Sequence, residues 1–116
     1  MTDSTCLFCR IISGEIPSEK VYEDDQVTAF KDINPVAPVH ILVIPNAHIA
    51  SLAEVESAHQ DLMGRLVVTF KEIAAAQGLA ERGYRLVVNC GEDGGQTVGH
   101  LHFHLLGGRN LNWPPG

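Results

Sequence analysis

The sequence predicts an α+β fold in which an antiparallel sheet of about five strands carries one long helix and a short N-terminal helix. Segments typical of strands lie on both sides of a single helix-like stretch, and the connections between them are short. The 116 residues contain no repeat, low-complexity stretch or linker, which predicts one domain over residues 1–116.

The N-terminal elements are predicted from apolar segments that end at turn residues. Residues 7–13 are apolar and end at Gly14, which is typical of a short helix or turn. Residues 20–23 and 26–31 predict a hairpin whose turn lies at Asp24 and Asp25.

The central strand is predicted over residues 39–44, a nearly continuous run of apolar and β-branched side chains. Its one polar member is His40, so that side chain is expected to have a specific partner. The loop before this strand begins at Asn34-Pro35 and ends near Pro38, because proline excludes the helical region for the residue that precedes it.

The long helix is predicted to begin at Ser57, with Gln60 completing a capping box, and to end at Gly78. It carries two adjacent apolar stripes, and together they are wider than the surface that one face of a sheet can bury. The second stripe indicates either a wide contact with the core or a contact with another subunit, and the sequence favours neither. The first stripe is Leu62, Leu66, Phe70 and Ile73, and the second is Met63, Val67 and Ala74.

The last two strands are predicted over residues 84–89 and 100–106. Side chains alternate along a strand, so His100, His102 and His104 would share one face, with roughly 7 Å between successive members. Packing alone is a poor explanation for three such histidines, because burying unpaired polar groups is costly. They indicate either a nucleophilic site or a metal cage, since imidazole serves in both.

A glycine-rich loop over residues 90–99 precedes these histidines. The sequence Gly94-Gly95-Gln96-Thr97 would let backbone N–H groups converge on an anion, with a hydroxyl from Thr97 and an amide from Gln96. Such a loop on its own is typical of a hairpin turn. Placed before three imidazoles it favours a phosphate cradle, and the absence of lysine favours a small phosphate monoanion.

The charge and the cysteine content exclude some classes of partner. A net charge of −6 and a pI of about 5.4 argue against nucleic acid, which requires a basic surface. The sequence lacks an apolar run of the roughly 20 residues that span a bilayer, and residues 1–4 carry no positive charge. Three cysteines, an odd number, fit a reducing compartment, so a cytoplasmic protein without membrane or nucleic-acid partners is expected.

Residues 100–106 read His-Leu-His-Phe-His-Leu-Leu and resemble the signature of the histidine triad (HIT) superfamily. The resemblance to its Hint branch covers nearly the whole chain. It implies a homodimeric purine nucleoside phosphoramidase that cleaves the P–N bond of adenosine 5′-phosphoramidates, acts on related aminoacyl-adenylates and releases AMP. The other matching segments are residues 8–17, 21–25, 29–35, 40–45, 94–98, 107–109 and 113–116.

The resemblance also implies a role for each matching site residue. His102 would be the nucleophile that forms a nucleotidyl-histidine, with one ring nitrogen held by a backbone carbonyl near His100. His40 would support the site from the neighbouring strand. His104 and Asn89 would bind phosphate or ribose, and Thr97 the phosphate or leaving group. The remaining nucleotide-binding residues would be Asp32 at the ribose hydroxyls, Phe8, Ile11, Ile16, Phe30 and Ile33 around the base, and Gly95, Gln96 and Trp113.

A second pattern is the C-x-x-C pair formed by Cys6 and Cys9. With His48 and His100 it resembles the arrangement of some prokaryotic HIT proteins, which implies a closed, structural zinc site. The alternative is two unligated thiols on an N-terminal turn, and the complete ligand set favours zinc. Cys90 is expected to be a packing residue.

Some features leave the substrate open. Thr97 stands where the animal Hint pattern has serine, and Gly99 replaces a bulkier residue. The sequence Gly-Gln-Thr-Val also resembles the dinucleoside polyphosphate hydrolase branch. Two further hypotheses are a hydrolase whose triad histidines hold a catalytic zinc, and a non-catalytic adaptor that binds nucleotide and proteins.

Overall fold

A computed structural model describes residues 5–116. Within them lie one five-stranded antiparallel sheet, a short helix and a long helix, which confirms the predicted fold class. Residues 1–4, whose lack of positive charge was one reason to expect a cytoplasmic protein, lie outside the described residues. The elements are α1 Leu7–Ile12, β1 Lys20–Glu23, β2 Val27–Lys31, β3 Val39–Pro45, 3-10 turns at Leu52–Glu54 and Ser57–His59, α2 Gln60–Ala76, β4 Tyr84–Val88 and β5 Phe103–Gly107.

The sheet has the strand order β1-β2-β3-β5-β4, and every neighbouring pair is antiparallel. Its two faces carry separate apolar clusters because successive side chains of a strand point to opposite sides. From β3, Ile41 and Val43 pack with α2, whereas Leu42 and Ile44 pack with α1. His40 alternates with Ile41 and therefore lies on the α1 face.

The hairpin prediction is confirmed, and the turn has a simple cause. The Oδ1 atom of Asp24 accepts hydrogen bonds from the N–H groups of Gln26 and Val27, each at 2.8 Å. An aspartate that bonds to the backbone two or three residues ahead fixes a tight turn. The second strand of the hairpin begins at Val27, one residue later than predicted.

The start of the long helix differs from the prediction. Ser57 does not cap the helix but opens a 3-10 turn. The capping box is one residue earlier: the Glu56 carboxylate accepts from the N–H of His59, and Nδ1 of His59 accepts from the N–H of Glu56 at 2.9 Å. This reciprocal pair already satisfies the first backbone groups, so α2 begins at Gln60. The predicted end is confirmed by Gly78, whose φ is 78°.

Burial does not separate the two apolar stripes of α2. Of the first stripe, Leu66, Phe70 and Ile73 are buried in the core. The second is divided, because Ala74 is buried and Met63 is partly buried against the core, whereas Val67 is 63% exposed. A wide core contact therefore accounts for most of the second stripe, and Val67 is left on the surface.

The final strand is shorter than predicted, since β5 begins at Phe103 and not at His100. The pairing of β5 with β3 ends at Phe103 opposite Val43. Before that point the backbone bonds elsewhere, with the N–H of Leu101 donating to the carbonyl of Ile49 at 2.6 Å. The prediction of three evenly spaced histidines on one strand was therefore wrong, because only His104 lies in regular sheet. The preceding strand β4 likewise ends at Val88, one residue before Asn89.

Among residues 5–116, no helix is both long enough and apolar enough to cross a membrane.

Candidate active site and metal centre

A cavity of about 420 Å³ opens on the α1 face of the sheet. Nine residues of the predicted nucleotide site line it together: Phe8, Ile11, Ile16, Phe30, Asp32, Ile33, Thr97, His102 and His104. The remaining lining residues are Leu7, Pro17, Ser18, Lys31, Asn34, Leu42 and Val98.

One side of the cavity is an aromatic and aliphatic wall. Phe8 meets Phe30 edge to face with the ring centroids 5.5 Å apart, and it meets His102 in the same way at 5.1 Å. Phe8 and Phe30 are buried, whereas Ile33 is 90% exposed at the mouth. Flat apolar walls of this kind suit a planar base.

The proton positions on His102 follow from one contact. Its Nδ1 lies 2.7 Å from the carbonyl oxygen of His100. A carbonyl only accepts hydrogen bonds, so Nδ1 carries a proton, and of the two neutral tautomers the contact selects the one whose Nε2 has the lone pair. A neutral imidazole with a free nitrogen in a cavity is a competent nucleophile.

A chain of backbone and imidazole groups fixes the tautomer of His104. The N–H of Val36 donates to Nδ1 of His40 at 3.1 Å, so the proton of His40 is on Nε2. That nitrogen is 2.9 Å from Nδ1 of His104 and donates to it. The proton of His104 is therefore on Nε2, where it can serve as a donor. Oδ2 of Asp32 lies 3.4 Å from Nε2 of His40 and completes the group.

His40 and His104 are both neutral near pH 7. Burial, with smaller effects from His102 and His40, lowers the pKa of His104 to about 4. Burial also lowers the pKa of His40, and the charge of Asp32 opposes that shift. Because both rings are neutral, the hydrogen bond between them runs from Nε2–H of His40 to Nδ1 of His104.

The glycine-rich loop is held by side chains that were predicted to touch the nucleotide. The amide of Asn89 donates to the carbonyl of Gly94 at 2.6 Å. Gln96 accepts from the N–H of Gly91 and donates to the carbonyl of Ala50 at 2.8 Å. Gly94 packs so closely that a Cβ there would lie 2.3 Å from the carbonyl oxygen of Cys90.

Not every predicted site residue reaches the cavity. Asn89, Gly95 and Gln96 belong to the loop described above and do not line it, whereas Thr97 does. Trp113 is 80% exposed and also lies outside the lining.

The four predicted metal ligands form a compact, mostly buried cluster. Their ligand atoms all lie within 4.8 Å of one another. Sγ of Cys6 is 3.3 Å and Sγ of Cys9 is 3.6 Å from Nδ1 of His100, and Sγ of Cys9 is 3.4 Å from Nδ1 of His48. Sulfur and nitrogen ligands of a tetrahedral zinc ion are roughly 3.6 Å apart, given usual bond lengths. The donor set and its spacing therefore fit zinc.

The tautomer of His100 also suits a ligand. Its Nε2 lies 2.9 Å from the carbonyl oxygen of Pro45, so Nε2 carries the proton and Nδ1 presents a lone pair to the thiols. Burial lowers the pKa of His100, which keeps the imidazole neutral. The ring therefore faces the cysteines, while the carbonyl of the same residue faces His102.

Two important contacts could not be read from residue types. The N–H of Val36 sets the tautomer of His40, and the carbonyl of Pro45 sets that of His100. Both are backbone groups, so the residue type does not reveal their role. Sequence reasoning named neither residue, and no sequence signal marks them.

The profile of the HIT domain matches residues 13–111. This chain belongs to the HIT family. It is 52% identical over 117 residues to the adenylylsulfatase HINT1 of Arabidopsis thaliana, covering 99% of this chain and 79% of that protein. It is 51% identical over 118 residues to a 14 kDa zinc-binding protein of Zea mays, covering 100% and 91%. A crystal structure of a HIT family hydrolase from Legionella pneumophila superposes with a TM-score of 0.94 at 50% identity, covering 96% and 99%. These relatives place the HIT chain in the Hint branch.

Proposed function

We propose that this HIT protein is a nucleotide hydrolase that cleaves the P–N bond of adenosine 5′-phosphoramidates and releases AMP through a nucleotidyl-His102 intermediate. The observation that carries the proposal is the hydrogen bond from Nδ1 of His102 to the carbonyl of His100, at 2.7 Å. It leaves Nε2 as the nitrogen that would react, in a ring that lines a cavity of nucleotide size.

The cavity gives each part of a nucleotide a complementary wall. The base would lie against Phe8 and Phe30, which supply buried aromatic surface. Oδ1 of Asp32 accepts from the N–H of Asn34 at 2.8 Å, and the carboxylate retains lone pairs for the ribose hydroxyls. The phosphate would meet Nε2–H of His104 and the hydroxyl of Thr97, both at the same cavity.

The chemistry is a double displacement. Nε2 of His102 attacks phosphorus, the P–N bond of the substrate breaks, and the leaving nitrogen takes a proton from solvent and departs as the amine. Water then attacks the same phosphorus and gives up a proton to solvent, the bond to His102 breaks with its electron pair returning to Nε2, and AMP leaves. Two easier steps replace one difficult step. His104, held as an Nε2–H donor by His40, would stabilise the charge on the phosphoryl oxygens.

The cluster of Cys6, Cys9, His48 and His100 would hold a structural zinc ion. A closed set of four protein ligands leaves no position for water, so the ion supplies folding free energy and not Lewis-acid catalysis. The name of the maize relative supports zinc, and thiolate ligands suit a reducing compartment such as the cytoplasm.

We also propose that the protein is a homodimer. β4 is an edge strand, and its exposed residues Tyr84 and Leu86 leave apolar surface beside an unpaired backbone. Val67 and Val68 of α2 are also exposed. A second copy that covers this side of the sheet would bury all four side chains.

Two alternatives use the same site. The Gly-Gln-Thr-Val sequence supports a dinucleoside polyphosphate substrate, and the Arabidopsis relative supports an adenylyl sulfate. A nucleotide-binding adaptor would keep the cavity without turnover. A hydrolase with zinc on the triad is less well supported, because Nδ1 of His100 faces the cysteines.

A substrate panel separates these functions. The zinc-loaded protein is given an adenosine phosphoramidate, an aminoacyl-adenylate, adenylyl sulfate and a diadenosine polyphosphate, and the products are quantified. Fastest release of AMP from the phosphoramidate, with a nucleotidyl adduct after rapid quench, is the expected result. AMP binding without turnover of any compound would instead identify the adaptor.

A further inference from the structure

The helix that carries two metal ligands also carries the base wall. Cys6 caps α1 and Cys9 lies within it, while Phe8 and Ile11 of the same helix line the nucleotide cavity. α1 has six residues. Isolated helices shorter than roughly 12–15 residues are marginal in water, so side-chain contacts must hold this one in place.

The residue that supplies a third ligand also orients the nucleophile. His100 is fully buried, with Nδ1 among the thiols and Nε2–H on the carbonyl of Pro45. Its own carbonyl accepts from Nδ1 of His102 at 2.7 Å. A rotation of residue 100 would therefore move the partner that fixes the tautomer of His102.

The fourth ligand is connected to the same segment. His48 meets the ring of His100 edge to face at 5.0 Å, and the adjacent Ile49 accepts from the N–H of Leu101 at 2.6 Å. The four ligands thus come from α1, from the loop after β3 and from the segment that enters β5. These are the pieces that enclose the base and orient the nucleophile.

We propose, building on the nucleotide site described above, that Cys6, Cys9, His48 and His100 are positioning residues whose occupation by metal sets nucleotide affinity and the orientation of His102. With metal bound, strong coordination joins α1 to residue 100. Without it, the contacts between these sulfur atoms and imidazole nitrogens are hydrogen bonds of sulfur, which are weaker than coordination bonds, and the base wall gains freedom. Since coupling between two ligands is reciprocal, nucleotide would raise the affinity for metal by the same factor.

A groove borders the mostly buried cluster. An open groove of about 440 Å³ is lined by Cys6, His48 and Gly99. A Cβ built on Gly99 would meet nothing within 4 Å apart from its chain neighbours, so the groove is open at this residue. We therefore expect metal to reach the cluster in the folded protein from the side of Cys6 and His48.

The test compares zinc-loaded protein with protein stripped by a chelator, using AMP and Zn²⁺ as probes. Circular dichroism first checks that the stripped protein is folded. Calorimetry is expected to give AMP binding weaker by about tenfold after stripping, which is within the usual range of coupling between two ligand sites. AMP should strengthen Zn²⁺ binding by the same factor. A folded, stripped protein with unchanged AMP affinity would overturn the proposal.

Variants give a matched comparison. Cys9→Ser should weaken AMP binding, whereas Cys90→Ser, the cysteine outside the cluster, should leave it unchanged. If stripped protein and Cys9→Ser both unfold, His48→Ala retains three ligands and should show an intermediate loss of AMP affinity. Equal AMP binding by His48→Ala and wild type would contradict the coupling.

A spectroscopic readout keeps this inference separate from the proposed function. The imidazole nitrogen signals of His102 should shift when Zn²⁺ is removed, and the absorption spectrum of the Co²⁺-loaded protein should change when AMP binds. If loaded protein does not bind AMP, the proposed function fails, while the His102 signals still decide the coupling. Identical His102 signals with and without Zn²⁺ would reject it.

Discussion

Nδ1 of His102 donates to the carbonyl oxygen of His100 over 2.7 Å, and this contact gives two adjacent histidines of the triad different chemistry. His102 is left with a free Nε2 in the nucleotide cavity. His100 turns its ring to the cysteines, where Nδ1 lies 3.3 Å from Sγ of Cys6. One residue therefore belongs to the candidate metal site through its side chain and to the candidate active site through its backbone.

The first prediction concerns the nucleophile. His102→Ala removes the reactive nitrogen, and turnover of the phosphoramidate should fall by about 10⁴-fold or more, as for other covalent nucleophiles. AMP binding should be affected far less, because the base and ribose contacts remain. Rapid-quench mass measurements should show an adduct on wild type and none on the variant. Turnover close to wild type would rule out covalent catalysis by His102.

The second prediction concerns the ribose. Asp32→Asn removes the negative charge proposed to accept from the diol, and hydrogen bonds to charged groups contribute about 1.5–3 kcal/mol. AMP should bind roughly tenfold to a hundredfold more weakly by calorimetry, from the same range. The control is 2′,3′-dideoxy-AMP, which should bind wild type and variant alike. An equal loss for both ligands would place the role of Asp32 in structure and not in ribose recognition.

The third prediction concerns pH. The pKa of His104 is about 4 in the folded protein and close to 6.5, its ordinary value, in the unfolded chain. Between these values the unfolded chain binds the extra proton, so folding stability is complete above about pH 6.5 and falls as the pH drops toward 4. Urea unfolding midpoints at several pH values measure this slope. The slope should be shallower in His104→Gln, and an unchanged slope would assign the pH dependence to other groups.

The fourth prediction concerns subunit association. Leu86 pairs across the sheet with Leu105, which belongs to the core beneath α2, so the exposed Leu86 lies on the α2 side near the sheet edge. Introducing charge by Val67→Lys and Leu86→Lys together should convert a dimer to a monomer, because both would be buried at the interface. Light scattering measures the mass. Leu52→Lys, an exposed leucine of a 3-10 turn, is the matched control and should remain dimeric.

Much of the fold could be predicted because its signals are local. The hairpin at Asp24, the buried strand over β3 and the end of α2 at Gly78 each depend on residues close in sequence. The start of α2 was missed because Glu56 and His59 form a reciprocal cap that competes with the one expected at Ser57. The sequence alone does not show which of the two capping boxes forms, because that depends on the conformation of the surrounding backbone.

The candidate site was partly predictable for a different reason. Phe8, Asp32 and His102 were identified from a motif and a resemblance, and the structure brings them to one cavity. Asn89 and Gln96 were named for the nucleotide, yet their amides hold the loop. An amide side chain suits either role, and its sequence position does not decide between them.

The sequence by itself determined the order of the elements, the C-x-x-C pair and the presence of three alternating histidines, because each is a property of residue type and spacing. The tertiary structure alone decided what each histidine does. Leu101 bonds to Ile49 and not to β3, so the chain leaves the regular sheet before Phe103 and His100 turns toward the cysteines. Backbone groups distant in sequence, the N–H of Val36 among them, then fix where each proton lies.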